Sequence, residues 1–419
     1  MFKRIAAVVM AVIMTLTVAA VFTSCSGDAS GLKIGVILVG DETEGYTKAH
    51  MDGIKEAASS LGIAESQIIW KYKVEETSAC LDAATDLVGQ GCSLVISNSY
   101  GHQTFMVQAA EQFPDVTFVS MTGDFAAICG VPNMKNGFTK IYEARYVAGV
   151  VAGMKLEELI SSGTISPEST PEHFDENGNA KIGYVGAYNY AEVISGYTAF
   201  FLGVRSIVPN VTMEVMYTNS WFDIDKEGAA AEALVAKGCV IIGQHADSTG
   251  APAAVQKLQD AGTICYSIGY NIDMLPTAPT AALTSATNVW SVFYKELFEA
   301  ALNGEEIAPD WAKGYDDGAV AVTEFGPSCA AGTAEKVAEV EAALRDGSLK
   351  VFDTATFTVN GETVTSAPCD MTIMDWATGT VAYQGETYEG IVDGAFEEST
   401  FRSAPYFTLR IDGIVEDAQ

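Results

Sequence analysis

The sequence has little positive charge. Its 419 residues include 23 Lys and Arg against 54 Asp and Glu, which gives a formal net charge of -31. A chain this acidic lacks the contiguous basic surface that neutralises phosphates, which argues against binding to nucleic acid. Hydrophobic residues make up 48% of the chain and charged residues 18%. This composition excludes a disordered protein and is ample for one or two packed cores.

Motifs of catalysis and metal binding are also missing. The chain has four His, without a His-x-x-His or His-Glu-x-x-His pair, so we expect no metal site. There is no Gly-x-Ser-x-Gly elbow and no Gly-x-x-x-x-Gly-Lys phosphate loop, and Gly183-Tyr184-Val185-Gly186 lacks the third glycine of a dinucleotide fingerprint. We therefore expect no cofactor and no catalytic residue.

Cysteine spacing argues against a disulfide framework. Seven cysteines follow Cys25, an odd number without paired spacing, and several lie in apolar strand or helix patterns. Residues of this kind are expected to be small buried hydrophobic side chains.

The first 25 residues are typical of an export signal. Lys3 and Arg4 precede an apolar run from Ile5 to Phe22, and the small residues before Cys25 resemble the lipobox of bacterial lipoproteins. We interpret residues 1–24 as a lipoprotein signal peptide, Cys25 as the lipidated residue and residues 25–31 as a tether. An uncleaved membrane anchor is the alternative, since the apolar run is just long enough to span a bilayer. Either interpretation places the body outside the membrane, on the cell surface or in the periplasm.

From Leu32 onward, strand and helix patterns alternate as in βα units. The pattern restarts at Lys181-Ile182-Gly183 as it began at Lys33-Ile34-Gly35, which indicates a second lobe of similar topology. The sequence therefore predicts an α/β fold with two doubly wound lobes joined by a hinge of several chain crossings. Lobe one is expected to span residues 32–155 with a return segment at about 279–310, lobe two residues 156–278 with about 311–350, and a strand-rich C-terminal extension residues 351–419.

The stretch from Met213 to Gly250 is the most informative part of the chain. It is predicted to be an apolar strand, an aromatic loop, a helix and a second apolar strand. The carboxyl ends of parallel strands meet at one edge of a sheet, where α/β folds bind ligands. We therefore expect Trp221 and Phe222 to share a rim with His245 and Asp247.

Two lobes facing each other across a hinge form a cleft that can close on a small ligand. The predicted strand ends carry aromatic side chains and carboxylates with few cations, which suits a planar, neutral ligand that stacks and forms hydrogen bonds. The candidate ligand-binding residues are Tyr46, Ser99, Tyr100, Glu192, Trp221, Phe222, His245, Asp247, Asp273 and Trp290.

Structural roles remain open for several of these residues. Trp221 can instead pack against the sheet, Asp247 can cap the following helix, and Asp273 can start a turn. Trp290 lies at a predicted helix start, where core packing is the default.

Four local patterns resemble the basic membrane protein family, the PnrA-like group of ABC-transporter substrate-binding lipoproteins. These patterns are Gly45-Tyr46-Thr47 with His50, "YEARYVAGVVAG" from Tyr142, Glu192 at a helix start, and "NSWFDIDKE" with "QHADS". The similarity covers about Leu32 to Asp353. It implies a type I periplasmic-binding-protein fold and a purine nucleoside or nucleobase as ligand.

The resemblance also implies roles for individual residues. An aromatic side chain from each lobe sandwiches the base, Tyr46 or Tyr100 from lobe one and Trp221 or Phe222 from lobe two. Carboxylates of Glu192, Asp247 and Asp273 accept hydrogen bonds from the ring or from ribose hydroxyls, and Trp290 matches a family Trp. The sequence departs at Tyr46, where members carry Trp or Phe, and at Thr47, where nucleoside-binding members carry Asn, which favours a free base.

The leading hypothesis is a monomeric, lipid-anchored solute receptor that delivers a purine to an ABC permease. A sugar receptor is the alternative among binding proteins. A secreted nucleoside-processing enzyme that uses His245 and Asp247, and an adhesin that uses the C-terminal extension, are alternatives from other classes.

Overall fold

The computed structural model describes residues 31–374 and 380–417. The expected signal peptide (1–24), Cys25 and the tether up to residue 30 lie outside the described residues. Across the part of the chain that is described, no helix combines the length and apolar character needed to cross a bilayer.

Helices and strands largely alternate from residue 34 to residue 345. The helices are α1 (Gly45–Ser60), α2 (Ala79–Gly89), α3 (Gln103–Gln112), α4 (Ile141–Ser161), α5 (Ala191–Arg205), α6 (Ile224–Ala236), α7 (Gly250–Asp260), α8 (Trp290–Asn303) and α9 (Thr333–Arg345). The larger sheets contain β1 (Ile34–Ile37), β2 (Ile68–Lys71), β3 (Leu94–Ser97), β4 (Thr117–Met121), β5 (Met134–Thr139), β6 (Ala180–Gly186), β7 (Val211–Tyr217), β8 (Ile241–Gln244), β9 (Tyr266–Tyr270), β10 (Ala282–Asn288), β11 (Asp310–Lys313) and β12 (Val320–Val322).

Two sheets form the cores of the two lobes. The first sheet is parallel with the order β2-β1-β3-β4-β5-β11, and the second has the order β7-β6-β8-β9-β10-β12 with β12 antiparallel. In both lobes the first strand lies between the second and the third, so the predicted repeat of topology is confirmed. Strand β1 is fully buried, as expected for a parallel sheet covered by helices on both faces.

Between residues 31 and 345, the chain crosses between the lobes three times, after β5, after β10 and between β11 and β12. The predicted hinge of several crossings is therefore present, but its position differs from the expectation. Strand β10 belongs to the second sheet, whereas we expected residues from about 279 to return to lobe one, and the return starts with α8, which packs on α1. Helix α4 packs on α5 and β10, so lobe two takes this helix from the segment assigned to lobe one.

Glycines explain why α4 can lie so close to α5. A Cβ atom at Gly149 would lie 2.1 Å from the carbonyl oxygen of Phe200, and one at Gly203 would lie 2.1 Å from that of Tyr146. Each helix therefore presents a glycine where the backbone of the other passes. This contact accounts for the glycines in the "YEARYVAGVVAG" pattern.

The C-terminal extension is strand-rich, as predicted. Its strands are β13 (Pro368–Asp370), β14 (Ile373–Met374), β15 (Val381–Tyr383), β16 (Thr387–Glu389), β17 (Ile391–Val392), β18 (Ala395–Phe396) and β19 (Ile414–Glu416). The first six form small antiparallel pairs. Strand β19 pairs in parallel with β7 and so extends the sheet of lobe two by one strand.

Candidate functional site

A cavity of about 540 Å³ lies between the lobes at the carboxyl ends of the strands. Its walls come from segments that follow β1, β2, β3 and β4 in lobe one and β6, β7 and β8 in lobe two, together with Tyr270 at the end of β9. They include the loops after β1 and β3 and the loops after β6 and β8. These are the points where the strand order of each sheet reverses, the usual ligand site of open α/β sheets. Lobe one contributes Val39, Gly40, Asp41, Thr43, Glu44, Tyr46, Lys73, Glu76, Asn98, Ser99, Tyr100 and Thr122, and lobe two contributes Tyr190, Glu192, Trp221, Phe222, His245, Asp247 and Tyr270.

The wall of lobe one rests on a column of aromatic rings. Tyr46 packs edge-on against His50, with 4.5 Å between ring centroids, and His50 stacks on Trp290 at 4.2 Å. The hydroxyl of Tyr46 donates a hydrogen bond of 2.5 Å to the carbonyl of Asn98, at the end of β3. The column and this hydrogen bond fix the ring of Tyr46 at the cavity surface.

Trp290 lies behind the cavity and does not line it. Its side chain is 1% exposed, and its ring stacks on His50 as the buried end of the column. The structure therefore supports core packing for this residue, because the start of α8 faces α1 and not the strand ends. Trp290 can reach a ligand only indirectly, through His50 and Tyr46.

The loop that contains Trp221 is tied to the loop that contains Asp247. The backbone amide of Asp247 donates a hydrogen bond of 2.8 Å to the carbonyl of Trp221. The indole packs edge-on against Tyr188, with 5.1 Å between ring centroids, and Phe222 beside it is 39% exposed. The predicted common rim of these two loops is confirmed.

A buried polar group supports the wall of lobe two. His245 Nε2 lies 3.1 Å from Glu192 Oε1, and the imidazole packs against Tyr270 at 5.2 Å. On the far side of Tyr270, the guanidinium of Arg145 lies 3.8 Å from the ring centroid and donates hydrogen bonds to the Tyr184 hydroxyl and the Gln244 carbonyl. Burial, with a smaller contribution from Arg145, lowers the pKa of His245 to about 4, so the imidazole is neutral at pH 7 and donates from Nε2 to Glu192.

Carboxylates from both lobes meet at the cavity. Burial raises the pKa of Asp247 well above its ordinary value, and the charge of Glu44 from the opposite lobe raises it further. The pKa of Glu44 is also raised by burial. Asp41, Glu76 and Glu192 line the same cavity, and Lys73 is the one cationic side chain among the lining residues in the described part of the chain. The site therefore favours neutral or hydrogen-bond-donating ligands over anions.

A chain of hydrogen bonds leads from Asp247 to the hinge. Asp247 Oδ1 accepts a hydrogen bond of 2.6 Å from Asn271, whose side-chain oxygen accepts one of 3.2 Å from Asn288. The side-chain oxygen of Asn288 accepts a hydrogen bond from the hydroxyl of Thr139. Asn288 and Thr139 end β10 and β5, where the chain crosses between lobes, so we name Thr139, Asn288, Asn271 and Asp247 the hinge relay.

Eight of the ten candidate residues line this one cavity. They are Tyr46, Ser99, Tyr100, Glu192, Trp221, Phe222, His245 and Asp247. Asp273, like Trp290, is not among the lining residues. Its exposed side chain accepts a hydrogen bond of 2.9 Å from the amide of Leu275, so it starts a turn. Which lining residues contact a ligand stays a prediction.

Several lining residues were not singled out from the sequence. Asn98 and Thr122 directly follow β3 and β4, and Glu44 caps α1 by accepting a hydrogen bond of 3.1 Å from the amide of Thr47. Position at a strand end is the signal that would have identified Asn98 and Thr122. The local sequence around Glu44 indicates only a helix cap. Its position opposite Asp247 depends on how the two lobes face each other, which no local pattern shows.

Neither metal ligands nor disulfides are present among the described residues. Across residues 31–374 and 380–417, there is no group of three or more His, Cys, Asp or Glu side chains that could hold a metal ion. The cysteines in this part of the chain are not paired with one another, and most of them are buried, as expected for small hydrophobic side chains.

Comparison with known proteins identifies a matching family and proteins of similar fold. The family model described as ABC transporter substrate-binding protein PnrA-like matches residues 32–345. A purine-binding protein of Brucella abortus is 31% identical over 323 residues, which cover 77% of this chain and 83% of the relative. A Haloferax volcanii protein that carries the provisional name of ABC transporter glucose-binding protein is 31% identical over 264 residues, which cover 63% of this chain and 60% of that protein.

A solved ABC transporter solute-binding protein of Aeropyrum pernix is similar in fold. The two structures superpose with a TM-score of 0.60 at 14% identity, over 77% of this chain and 93% of the other. This likeness shows a periplasmic-binding fold with two lobes. Both this neighbour and the matching family are substrate-binding proteins.

Proposed function

The chain belongs to the PnrA-like family of ABC transporter substrate-binding proteins, and from this premise we propose that it binds a purine nucleobase or nucleoside between its lobes and delivers it to an ABC permease. The observation that carries the proposal is the pair of aromatic walls. Tyr46 and Tyr100 from lobe one and Trp221 and Phe222 from lobe two line the same cavity. A planar base between such walls gains stacking contacts on both faces when the lobes close.

The polar groups of the cavity fit the edge of a base. The carboxylate of Glu192 accepts hydrogen bonds and so matches ring N–H, amino or hydroxyl donors. Asp247, whose pKa is raised by burial, offers an oxygen that accepts and, when protonated, a hydroxyl that donates to a ring nitrogen. The excess of carboxylates over cations at the cavity disfavours a phosphorylated nucleotide. The 31% identity to a purine-binding protein supports the same ligand class.

A free base is favoured over a nucleoside at one position. Thr47 stands where nucleoside-binding members of the family carry Asn. Its side chain is fully buried, and its hydroxyl accepts a hydrogen bond of 3.1 Å from Asn98. No polar group from this position is therefore directed at a ribose.

Calorimetry with adenine, guanosine, AMP, ribose and glucose tests the proposal. Adenine and guanosine should bind with adenine the tighter, and AMP should bind at least tenfold more weakly than guanosine because of the acidic walls. Glucose is included because of the relative with a glucose-binding name. Tight binding of glucose or ribose, with no heat from either purine, would contradict the proposal in favour of a sugar receptor.

We also propose that the mature protein is anchored by a lipid on Cys25, at the outer face of the cell membrane. The apolar run and lipobox-like residues before Cys25 support this anchor. Mass spectrometry of the N-terminal peptide should show an acylated Cys25 in wild type, and Cys25→Ala should release the protein from the membrane fraction. An unmodified N-terminal Met1 would contradict it.

A further inference from the structure

The C-terminal extension contacts both lobes, although the family match ends at residue 345. On lobe two, Glu398 accepts a hydrogen bond of 2.5 Å from Ser195 on α5, and β19 extends the sheet. On lobe one, Ile373 joins the apolar cluster around Val95, and Tyr383 packs edge-on against Phe125 at 5.0 Å. The extension therefore bridges the two bodies that form the cleft.

Arg402 of the extension forms an ion pair with a lobe-one residue that in turn contacts the cavity wall. Its guanidinium lies 3.4 Å from Asp124 in lobe one, and the two side chains are 13% and 4% exposed. Asp124 also accepts hydrogen bonds of 3.1 Å from Gln103 and 3.3 Å from the hydroxyl of Tyr100. Asp124 is thus a buried carboxylate whose nearby cation comes from the extension.

Tyr100 connects this ion pair to the ligand cavity. Its ring lines the cavity and packs edge-on against Tyr190 of lobe two, with 5.8 Å between ring centroids. Tyr100 is therefore both a wall of lobe one and an interlobe contact. The path from the extension to the cavity is Arg402, Asp124 and Tyr100, with one contact at each step.

We propose that Arg402 is a positioning residue of the binding site. By pairing with Asp124, it fixes the carboxylate that holds the Tyr100 hydroxyl, and so keeps the Tyr100 ring against Tyr190 when the lobes are closed. The extension thereby sets how tightly the cleft holds its ligand. This inference rests on the proposed function, because it concerns the affinity of the same cavity.

Four variants test the path, with adenine and guanosine as probes in calorimetry. Arg402→Ala should weaken binding of the tighter probe about tenfold, because Asp124 is left buried without its cation, and Arg402→Lys should recover part of the loss. When Arg402→Ala is added to Asp124→Asn, affinity should fall by less than a further threefold. When it is added to Tyr100→Phe, affinity should not fall further. The matched control is Arg410→Ala, an exposed arginine of the extension that binds Asn189 and Glu416 away from the cavity.

Three affinity results would overturn the inference. Wild-type affinity in Arg402→Ala would show that Arg402 has no role in binding. Equal weakening by Arg402→Ala and Arg410→Ala, or an unchanged cost of Arg402→Ala in the Tyr100→Phe background, would show that Arg402 does not act through Tyr100.

A measurement without ligand separates this inference from the proposed function. Burial raises the pKa of Asp124 and Arg402 opposes the rise, so a folded protein without Arg402 should lose stability more steeply as the pH rises above about 4. Asp310 has a pKa raised in the same direction and also faces Arg402, while Tyr100 and Tyr190 face Asp124.

Thermal unfolding from pH 4 to 8 therefore includes the pairs Arg402→Ala/Asp124→Asn and Arg402→Ala/Asp310→Asn. The extra pH dependence should vanish in the first pair and persist in the second. The reverse result would assign the effect to Asp310 and overturn the inference. If wild type binds neither probe, the proposed function fails, and this unfolding experiment still decides whether Arg402 pairs with Asp124.

Discussion

The two walls of the cleft are built on different physical principles, which a pair of buried histidines makes visible. In lobe one, His50 lies between the rings of Tyr46 and Trp290 and contacts Tyr294 through a hydrogen bond of 2.6 Å. In lobe two, His245 lies between the carboxylate of Glu192 and the ring of Tyr270, with Arg145 beyond it. Ring packing therefore dominates the support of the lobe-one wall at His50, and charges and hydrogen bonds dominate that of the lobe-two wall at His245.

The difference has a consequence for how each wall tolerates change. An aromatic column loses dispersion contacts and leaves a void when one ring is removed. When one member of a buried polar pair is removed, the other is left without its hydrogen-bond or charge partner. The resulting loss of stability depends on pH when the remaining group titrates. Substitutions at the buried end of the aromatic column should therefore act mainly on stability, and those at Trp221 and Glu192 in lobe two should act on affinity and on the pKa of His245.

Trp290→Ala is expected to have the largest effect. Removing a fully buried ring at the end of the column should lower the free energy of unfolding by about 3–5 kcal/mol, measured by urea denaturation. The matched control is Trp70→Ala, since Trp70 is half-buried on β2, an edge strand, and should cost less. If Trp290→Ala weakened purine binding at unchanged stability, the indole would reach the ligand, as the sequence suggested.

The two buried histidines of the walls should contribute comparably to stability over the same acid range. Burial lowers the pKa of His50 to about 3 and that of His245 to about 4, from ordinary values of 6.5. Because the folded values lie below the unfolded ones, their stabilisation is present above pH 6.5 and is lost as the pH falls toward 4, by up to about 3 kcal/mol for each. His50→Gln and His245→Gln should each flatten this acid limb in unfolding experiments, and an unchanged limb in both variants would contradict the prediction.

Glu192→Gln sharpens the contrast between these histidines. The carboxylate of Glu192 raises the pKa of His245, so its loss should lower that pKa further and leave His50 unchanged. NMR titration of labelled histidines measures both values in one sample. Equal shifts at both residues would mean that the walls are not electrostatically separate.

The contrast between the walls was only partly visible in the sequence. Strand ends and the restart at Lys181 were sufficient for the topology and for eight of the lining residues, because βα periodicity fixes which loops share an edge. Strand β5 was missed, since "MKNGFT" contains Lys135 and Asn136, both buried in the structure. Asn136 bonds to the amide of Ala126 and the carbonyl of Ser120, partners that no local pattern shows.

The lobe that β10 joins was predicted wrongly, and the sequence did not decide whether Trp290 meets the ligand or the core, for a related reason. Each depends on which lobe an element joins after a crossing, and this is decided by packing between segments far apart in the chain. Trp290 meets Gly53 on α1, where a Cβ atom would lie 2.8 Å from that of the tryptophan. A residue type at a helix start carries no information about such a contact.

Trp221→Ala should separate binding from stability in lobe two. The indole lines the cavity, so its loss should weaken purine affinity by about 2 kcal/mol, close to thirtyfold, as for a central aromatic contact. The free energy of unfolding should change by no more than about 0.5 kcal/mol. A variant that loses stability and keeps its intrinsic affinity would place Trp221 in the core. The walls of both lobes would then be supported mainly by packing.

The hinge relay is expected to give the smallest effect and the most specific one. Thr139→Val removes the hydroxyl that donates to Asn288 and should cost about 1 kcal/mol of unfolding free energy. Asp247→Ala removes the other end, and two distant sites without a shared partner should be additive. If Asn288 and Asn271 transmit orientation, the double variant should instead deviate from additivity by more than about 0.5 kcal/mol.

The control is Thr198, a buried threonine of α5 outside the relay. Its Thr198→Val variant should be additive with Asp247→Ala. If Thr139→Val and Thr198→Val were both additive with Asp247→Ala, the hinge relay would be contradicted. The hydrogen bonds of lobe two would then act only within its own wall.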